Sequence, residues 1–233
     1  MAKTKTAFIC QSCGSQFPKW MGKCSSCNEW NSLIEEVIYK DNKSSGSRRN
    51  FADQLAKKPV PITAVKVDDA ERMPLPDEEL TRVLGGGIVP GSVTLIGGDP
   101  GIGKSTLLLQ LGLNFQTKKV LYVSGEESAN QIKMRAERIG NLHDGLLLLT
   151  DTSLERVMER IEEAEPDLVI IDSIQTMQSP EIDSVPGSVA QIRECTGELI
   201  QYAKETDTPV ILIGHITKEG NIAGPKVMEH MVD

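Results

Sequence analysis

The segment Ser92-Val93-Thr94-Leu95-Ile96-Gly97-Gly98-Asp99-Pro100-Gly101-Ile102-Gly103-Lys104-Ser105 joins a short apolar run to a glycine-rich turn and then to a second apolar stretch. Residues 92–97 read as a buried strand, and residues 104 to about 115 as a helix. Between them, residues 98–105 fit G-x-x-x-x-G-K-[ST] in the setting that pattern requires, a strand before and a helix after. The glycines allow a tight loop whose backbone N–H groups turn inward. With the N-terminus of the helix they form a nest for phosphate oxygens. Lys104 is placed to reach the β- and γ-phosphates, and the Ser105 hydroxyl to ligate Mg²⁺. The phosphates of a nucleotide are expected to be held by Gly98, Asp99, Pro100, Gly101, Ile102, Gly103, Lys104, Ser105 and Thr106.

Outward from that loop the chain alternates. Val120-Leu121-Tyr122-Val123, residues 146–149, Leu168-Val169-Ile170-Ile171 and Val210-Ile211-Leu212-Ile213 are short apolar runs of strand type. Residues 128–139 read as a helix stopped by Gly140, and residues 153–164 as another. In the second, Leu154, Val157, Met158, Ile161 and Ala164 make one stripe. Thr152 and Glu155 fit a capping box at its start, and Pro166 lies beyond its end. A further stripe runs through Val189, Ile192, Cys195, Leu199, Ile200 and Ala203. Strands apolar on both faces, alternating with amphipathic helices, specify an α/β fold with a mainly parallel sheet covered on both sides. Cys195 lies on an apolar helix face and reads as packing, not as a nucleophile.

In such a sheet, chemistry collects at the carboxyl ends of the strands. Asp172 follows the run 168–171 and is the expected second holder of Mg²⁺. Ser124-Gly125-Glu126-Glu127-Ser128 leaves the strand 120–123 at the same edge. Glu126 is the first candidate for the group that orients or deprotonates water and Glu127 the second, although Glu127 also suits a helix N-terminus. His215 ends the last strand, where a polar side chain can sense the γ-phosphate. The catalytic set is therefore Lys104, Glu126, Asp172 and His215.

The first 40 residues have a different character. Cys10, Cys13, Cys24 and Cys27 form two C-x2-C pairs ten residues apart. Each pair turns two thiolates toward one point, and two pairs complete a tetrahedron around Zn²⁺. All four positions are cysteine, so the metal is structural and supplies folding free energy to a segment with little apolar surface of its own. Two disulfides are the alternative, disfavoured because nothing in the sequence points to export. Trp20 and Trp30 flank the second pair. They read either as stacking groups or as the small core of a ribbon, with core expected for at least one. Lys19 and Lys23 keep a nucleic-acid or protein contact open.

Charge divides the chain in the same place. Residues 1–60 carry 10 Lys/Arg against 5 Asp/Glu, and residues 61–233 carry 15 against 28, within a total of -8. Bulk coating of nucleic acid by charge is excluded, as is a membrane span, since no apolar run is long enough. The N-terminus lacks the apolar core of a secretory signal, and a cytoplasmic location is expected. Residues 1–38 are thus expected to form a four-cysteine zinc ribbon, and residues 39–60, with Ser44-Ser45-Gly46-Ser47-Arg48-Arg49, a flexible linker. Residues 61–233 are expected to form the α/β core.

Together these motifs resemble the RecA-like ATPases of bacterial DNA repair that carry an N-terminal zinc finger. The resemblance rests on the cysteine finger with Phe17-Pro18-Lys19-Trp20, on Leu84-Gly85-Gly86-Gly87-Ile88-Val89-Pro90-Gly91-Ser92 and on the phosphate loop. Ser124-Gly125-Glu126-Glu127-Ser128 and Gly214-His215-Ile216-Thr217-Lys218-Glu219-Gly220 extend it. It implies a RecA-like P-loop core, ATP as the nucleotide, its hydrolysis with Glu126 activating water, and His215 at the nucleotide-sensing position. It also implies binding of single-stranded and branched DNA, processing or branch migration of recombination intermediates, and assembly into a ring or filament. Two mobile DNA loops are implied, at 173–188 and 216–225, with Lys218 near the start of the second and Lys226 just past its end. The chain stops at Asp233, where the resemblance implies another core strand, then a Lys-Asn-Arg-Phe-Gly motif and a protease-like domain. A fragment that binds nucleotide but turns it over poorly is therefore expected. The competing reading is a nucleotide-switched binding module whose finger docks a partner such as a replicative helicase or recombinase.

Overall fold

Among the described residues two separate sheets carry the fold, one antiparallel and one parallel. The computed structural model describes residues 4–10, 14–39, 61, 63, 72–215 and 228–233. Cys13, residues 40–60 of the linker, the segment 216–225 and both Lys218 and Lys226 lie outside the described residues.

The N-terminal sheet contains β1 (Thr4–Cys10), β2 (Gln16–Phe17) and β3 (Leu33–Tyr39) in the order β2-β1-β3. Phe8 pairs with Phe17, and the β1–β3 register ends with Cys10 opposite Leu33. Buried Cys10, Cys24 and Leu33 form the interior, with Phe8, Phe17 and Met21 packed on it. Trp20 and Trp30 are 55 % and 68 % exposed. This corrects the expectation that one of them builds the core. Phe8 and Leu33, drawn in by strands outside the cysteine window, fill that small space instead.

The larger body opens with α1 (Glu78–Val83), capped by Asp77. Then follow β4 (Val93–Gly98), α2 (Lys104–Asn114), β5 (Val120–Ser124), α3 (Ala129–Ile139) and β6 (Leu146–Thr150). The series continues with α4 (Leu154–Ala164), β7 (Leu168–Asp172), α5 (Val189–Thr206) and β8 (Val210–His215). The strands lie in the order β4-β8-β7-β5-β6, and every pair is parallel. The expected α/β fold with a parallel sheet is the observed one.

The pleat sends alternate residues into two cores. Leu121, Val123, Val169, Ile171, Val210 and Leu212 face α4 and α5, packing with Val157, Ile161, Ile192, Cys195 and Leu199. Tyr122, Leu168, Ile170, Ile211 and Ile213 face α2 and α3, packing with Leu108, Leu109, Ile132 and Ala136. Each fully buried aliphatic side chain contributes about 1.5–3 kcal/mol relative to exposure. Apart from the Tyr122 hydroxyl, these strands accordingly carry no polar side chain before their ends.

Local signals place the helix ends. Ser128 and Gln131 form a capping box on α3, and Gly140 closes that helix with φ 93°. At α4 the expected box is absent. Ser153 is the N-cap, with no side-chain hydrogen bond. The Thr152 carbonyl instead accepts the Gln178 N–H at 2.8 Å, and Asp151 Oδ1 accepts the Ser153 N–H at 2.9 Å. Pairing of residues 152–153 with the strip around Gln178 extends the backbone there and takes Thr152 away from the helix.

The span 173–188 is only partly a surface loop. A 3-10 turn covers Ile174–Thr176, and Ser173, Ile174, Met177 and Ser179 are buried. Gln191 on α5 pins the next stretch. Its Oε1 accepts the Ser179 N–H at 2.8 Å, and its Nε2 donates to the carbonyls of Ser179, Ile182 and Ser184 at 3.1, 2.7 and 3.2 Å. The exposed residues of this span lie mainly between 180 and 187.

Candidate nucleotide site and metal centre

Parallel register brings the carboxyl ends of four strands together. Gly98 of β4 pairs with His215 of β8, and Ser124 of β5 pairs with Asp172 of β7. Every residue of the expected catalytic set is thereby carried to one sheet edge.

The phosphate loop leaves that edge after β4. Gly101 and Gly103 hold φ of 84° and 102°, a region open to glycine and costly to other residues. Gly103 is also the N-cap of α2, and no side chain caps that helix. The first-turn N–H groups are thus left without a side-chain cap, as an anion nest requires. Lys104 is buried, and its Nζ donates to the carbonyls of Gly98 at 2.7 Å and Asp99 at 2.9 Å. The ammonium is thus held inside the loop. Ile102, by contrast, is largely exposed.

Asp172 is 4 % exposed. The hydroxyl of Tyr122, itself fully buried, donates to Asp172 Oδ2, and the Ser105 side chain lies near enough to favour the ionised carboxylate. Burial raises the Asp172 pKa above the ordinary carboxylate value, Glu126 adds to the rise, and Tyr122 and Ser105 oppose it. Burial and the Asp172 charge push the Tyr122 hydroxyl far up, so it stays a donor. A hydroxyl and a carboxylate oxygen side by side are hard oxygen donors, and they fit Mg²⁺.

Glu126 Oε1 accepts a hydrogen bond from Ser173 Oγ at 2.6 Å and lies 3.0 Å from His215 Nε2. Glu127 turns elsewhere, to Arg135 Nη1 on α3 at 2.7 Å. The two adjacent glutamates are therefore separated by their partners. Gly125 makes the turn possible. A Cβ there would lie 2.1 Å from Thr176 Oγ1, so the chain crosses the 173–176 turn only without a side chain. Its N–H donates to the Asp172 carbonyl at 2.9 Å.

Tyr122, Ser173 and Arg135 escaped sequence reasoning. Tyr122 sits in an apolar run and reads there as a strand residue, while its partner is 50 residues away. Its hydroxyl, unusual in so apolar a strand, was the available signal.

The metal centre belongs to the N-terminal sheet. Two knuckles repeat one geometry. The Gly14 N–H donates to the Cys10 carbonyl at 2.8 Å and the Asn28 N–H to the Cys24 carbonyl at 2.9 Å, with φ of 71° at Gly14 and 65° at Asn28. The thiols of Cys10, Cys24 and Cys27 lie within 4.8 Å of one another. Cys10 Sγ and Cys27 Sγ are 3.6 Å apart. Tetrahedral Zn²⁺ with bonds of about 2.3 Å sets sulfurs about 3.8 Å apart, so the thiols fit that ion. Cys10 Sγ also contacts Ser32 Oγ at 3.2 Å, a partner in the shell behind the ligands.

Comparison with known proteins agrees with both halves. A family model described as an AAA domain matches residues 56–221, and one described as a rubredoxin metal binding domain matches residues 8–35. The first implies ATP and Mg²⁺, and the second, with the cysteine cluster, Zn²⁺. Over its whole length the chain is 50 % identical to the DNA repair protein RadA of Bacillus subtilis, covering 51 % of that protein. It is 54 % identical to that of Halalkalibacterium halodurans, of which it covers 51 %, and 50 % identical to that of Listeria monocytogenes, of which it covers 50 %. The chain spans about half the length of the curated relatives it matches. With its phosphate loop, strand-end acids and parallel sheet in place, this chain belongs to the AAA-domain family and carries a rubredoxin-type zinc ribbon ahead of that domain.

Proposed function

We propose that this chain is the ATP-hydrolysing part of a DNA repair protein, coupling turnover to single-stranded DNA and helping to process or branch-migrate recombination intermediates. The observation that carries the reading is the convergence of Lys104, Asp172, Glu126 and His215 at one sheet edge beside the phosphate loop. The name shared by the relatives, DNA repair protein RadA, supports DNA as the partner.

In this reading residues 98–106 cradle the triphosphate with backbone N–H groups, and Lys104 swings from the Gly98 and Asp99 carbonyls to the β- and γ-phosphates. Ser105 and Asp172 hold Mg²⁺, which when bound neutralises charge building on the phosphate oxygens. Tyr122 fixes the Asp172 carboxylate. Glu126 orients the attacking water and takes its proton. Both of its contacts fall on Oε1, so Oε2 is the oxygen that meets the water. Glu127 is committed to Arg135 and stays in second place. His215, linked to Glu126 on one side and to the segment 216–225 on the other, relays the state of the γ-phosphate toward the DNA.

The DNA contacts lie in 173–188 and 216–225, with Lys218 and Lys226. Protomers arranged in a ring or filament gather these loops along one strand, so a few lysines per protomer suffice in an acidic body. A replicative helicase or a recombinase is the expected protein partner, and the cytoplasm the expected location. Among the described residues no helix is long and apolar enough to cross a membrane.

ATP turnover with and without single-stranded DNA, on this chain and on one of its relatives' full length, tests the proposal. Stimulation by DNA that is lost in Lys104→Ala and Glu126→Gln supports it. Slow turnover indifferent to DNA assigns the chain to the nucleotide-switched binding module instead. Unchanged turnover in Lys104→Ala refutes the site.

A further inference from the structure

The ribbon leaves two large aromatic side chains outside its interior. Trp20 and Trp30 are 55 % and 68 % exposed, while Leu33, Phe8 and Phe17 fill the interior. The backbone brings the two together. Lys23 and Trp30 face each other in an antiparallel bridge, and the Asn31 N–H donates to the Gly22 carbonyl at 2.9 Å. Asn28 and Asn31 take φ of 65° and 52°, which turns the chain back over itself at this knuckle. A Cβ on Gly22 would lie 3.7 Å from Trp20 Cη2 and 3.9 Å from Trp30 Cζ3, so both indoles meet over this glycine. The Lys23 ammonium stands 5.7 Å from the Trp30 ring centroid, and Lys19, also exposed, precedes Trp20.

We propose that this face is a stacking platform for single-stranded DNA, separate from the loops of the ATPase core. Neighbouring exposed indoles with ammonium groups beside them supply what an unpaired strand needs, flat apolar surfaces for successive bases and cations for its phosphates. A duplex keeps its base faces covered and offers nothing to the indoles. A phosphate contact alone would leave the tryptophans without a purpose. Charge agrees in sign, since residues 1–38 carry four Lys/Arg against three Asp/Glu, residues 39–60 add six against two, and the remainder is strongly acidic. The choice of DNA over RNA rests on the repair function proposed above; the platform itself does not.

Trp20 and Trp30 are the only tryptophans among the 233 residues, so intrinsic emission reports this face alone. The zinc-loaded chain is titrated with oligo(dT) of about 20 nucleotides at low salt, without nucleotide, and binding is followed in parallel by anisotropy of labelled oligomer. The expected result is quenching of tryptophan emission. Affinity is expected to fall on the order of 5- to 100-fold in Trp20→Ala/Trp30→Ala and to be largely kept in Trp20→Phe/Trp30→Phe. Lys23→Ala, which removes no ring, is expected to reduce the salt slope by about 1. Zinc content verifies that each variant is folded; if the alanine pair loses its metal, Lys23→Ala and the phenylalanine pair decide. Binding of oligo(dT) with unchanged emission and unchanged affinity in the alanine pair overturns the proposal. So does the absence of binding, which leaves the face to a protein partner, and so does equal quenching by duplex. Stronger quenching by oligo(rU) overturns the assignment to DNA. DNA-indifferent ATP turnover alongside intact quenching would sink the ATPase reading and leave this one standing.

Discussion

Tyr122→Phe removes one oxygen and nothing else. The ring stays in the core between α2 and α3, so the change opens no cavity of methylene size. What disappears is the donor to Asp172 Oδ2, inside a site where both partners are buried. A hydrogen bond to a charged group contributes about 1.5–3 kcal/mol, against about 1 for a neutral one. The second contact of the hydroxyl, with the Ser105 carbonyl at 3.4 Å, is too long to offset much of this. Asp172→Asn leaves the tyrosine a neutral amide partner. A double-mutant cycle over Tyr122→Phe and Asp172→Asn should therefore return a coupling of about 1–2 kcal/mol. The assay is equilibrium urea unfolding at constant zinc, followed by far-UV circular dichroism because tryptophan emission sees only the ribbon. A coupling under about 0.3 kcal/mol, the level of independent sites, refutes the pairing. A functional consequence follows from the same geometry. If the hydroxyl orients the carboxylate that meets Mg²⁺, Tyr122→Phe lowers the gain in nucleotide affinity on adding Mg²⁺ by about fivefold, roughly 1 kcal/mol, and leaves affinity in EDTA unchanged. Loss of affinity in EDTA as well would mean that the variant damages the loop, not the metal position.

Three other outcomes are expected. Burial pushes the Cys195 thiol up to about 12, so at pH 8 the native zinc-loaded chain should resist alkylation there, and labelling at the rate of an exposed thiol would contradict the packing. Gly125→Ala drives a Cβ into Thr176 and should cost about 1–3 kcal/mol in urea while lowering turnover through Glu126; a neutral effect would show that the 173–176 turn gives way freely. The Asp151 carboxyl is held down to about 2, by Arg156 first and by the Ser153 N–H, so its folded pKa lies below its unfolded one. Its contribution is complete above about pH 4 and is lost as pH falls through about 2, so the melting temperatures of wild type and Asp151→Asn should differ at pH 6 and converge toward pH 2.

How much was legible depended on how far apart in the chain the cause and its partner lie. The phosphate loop, the five parallel strands and the ends of α3 are local signals, and they stand where the residues put them. The capping box at Thr152 was equally local, but the strip around Gln178 claimed the Thr152 carbonyl, and a distant ladder overrode a nearby cap. The exposure of both Trp20 and Trp30, where core is expected for at least one, has a related reason. The cysteine spacing locates the metal but not the strands that fill the space beside it, and Phe8 and Leu33 come from outside the window. Gln191 looked like one polar position on an apolar helix. Only the fold shows its amide meeting four backbone groups of the 179–184 stretch.

The register of the site raises a physical question that the apolar strands do not answer by themselves. A one-residue slip exchanges the faces of a strand, and in a half-exposed sheet that would put apolar side chains in water. β7 is apolar on both faces, so exchanging Leu168 and Ile170 with Val169 and Ile171 would leave hydrophobic burial nearly unchanged. Its two ends supply the constraint. Asp167 precedes the strand, where its carboxylate accepts the Lys119 N–H at 2.8 Å and the Lys118 ammonium at 3.1 Å. Asp172 closes it against Tyr122 and Ser105. Sliding β7 one way drags Asp167 into the sheet without those partners. Sliding it the other way drags Asp172 past the tyrosine. Either leaves an ionised or unsatisfied carboxyl in an apolar interior, at a cost of at least several kcal/mol. The five-residue strand is thus held between two aspartates. The acid at the nucleotide edge fixes the strand that presents it, so its position at the phosphate loop and the register of the sheet are one constraint.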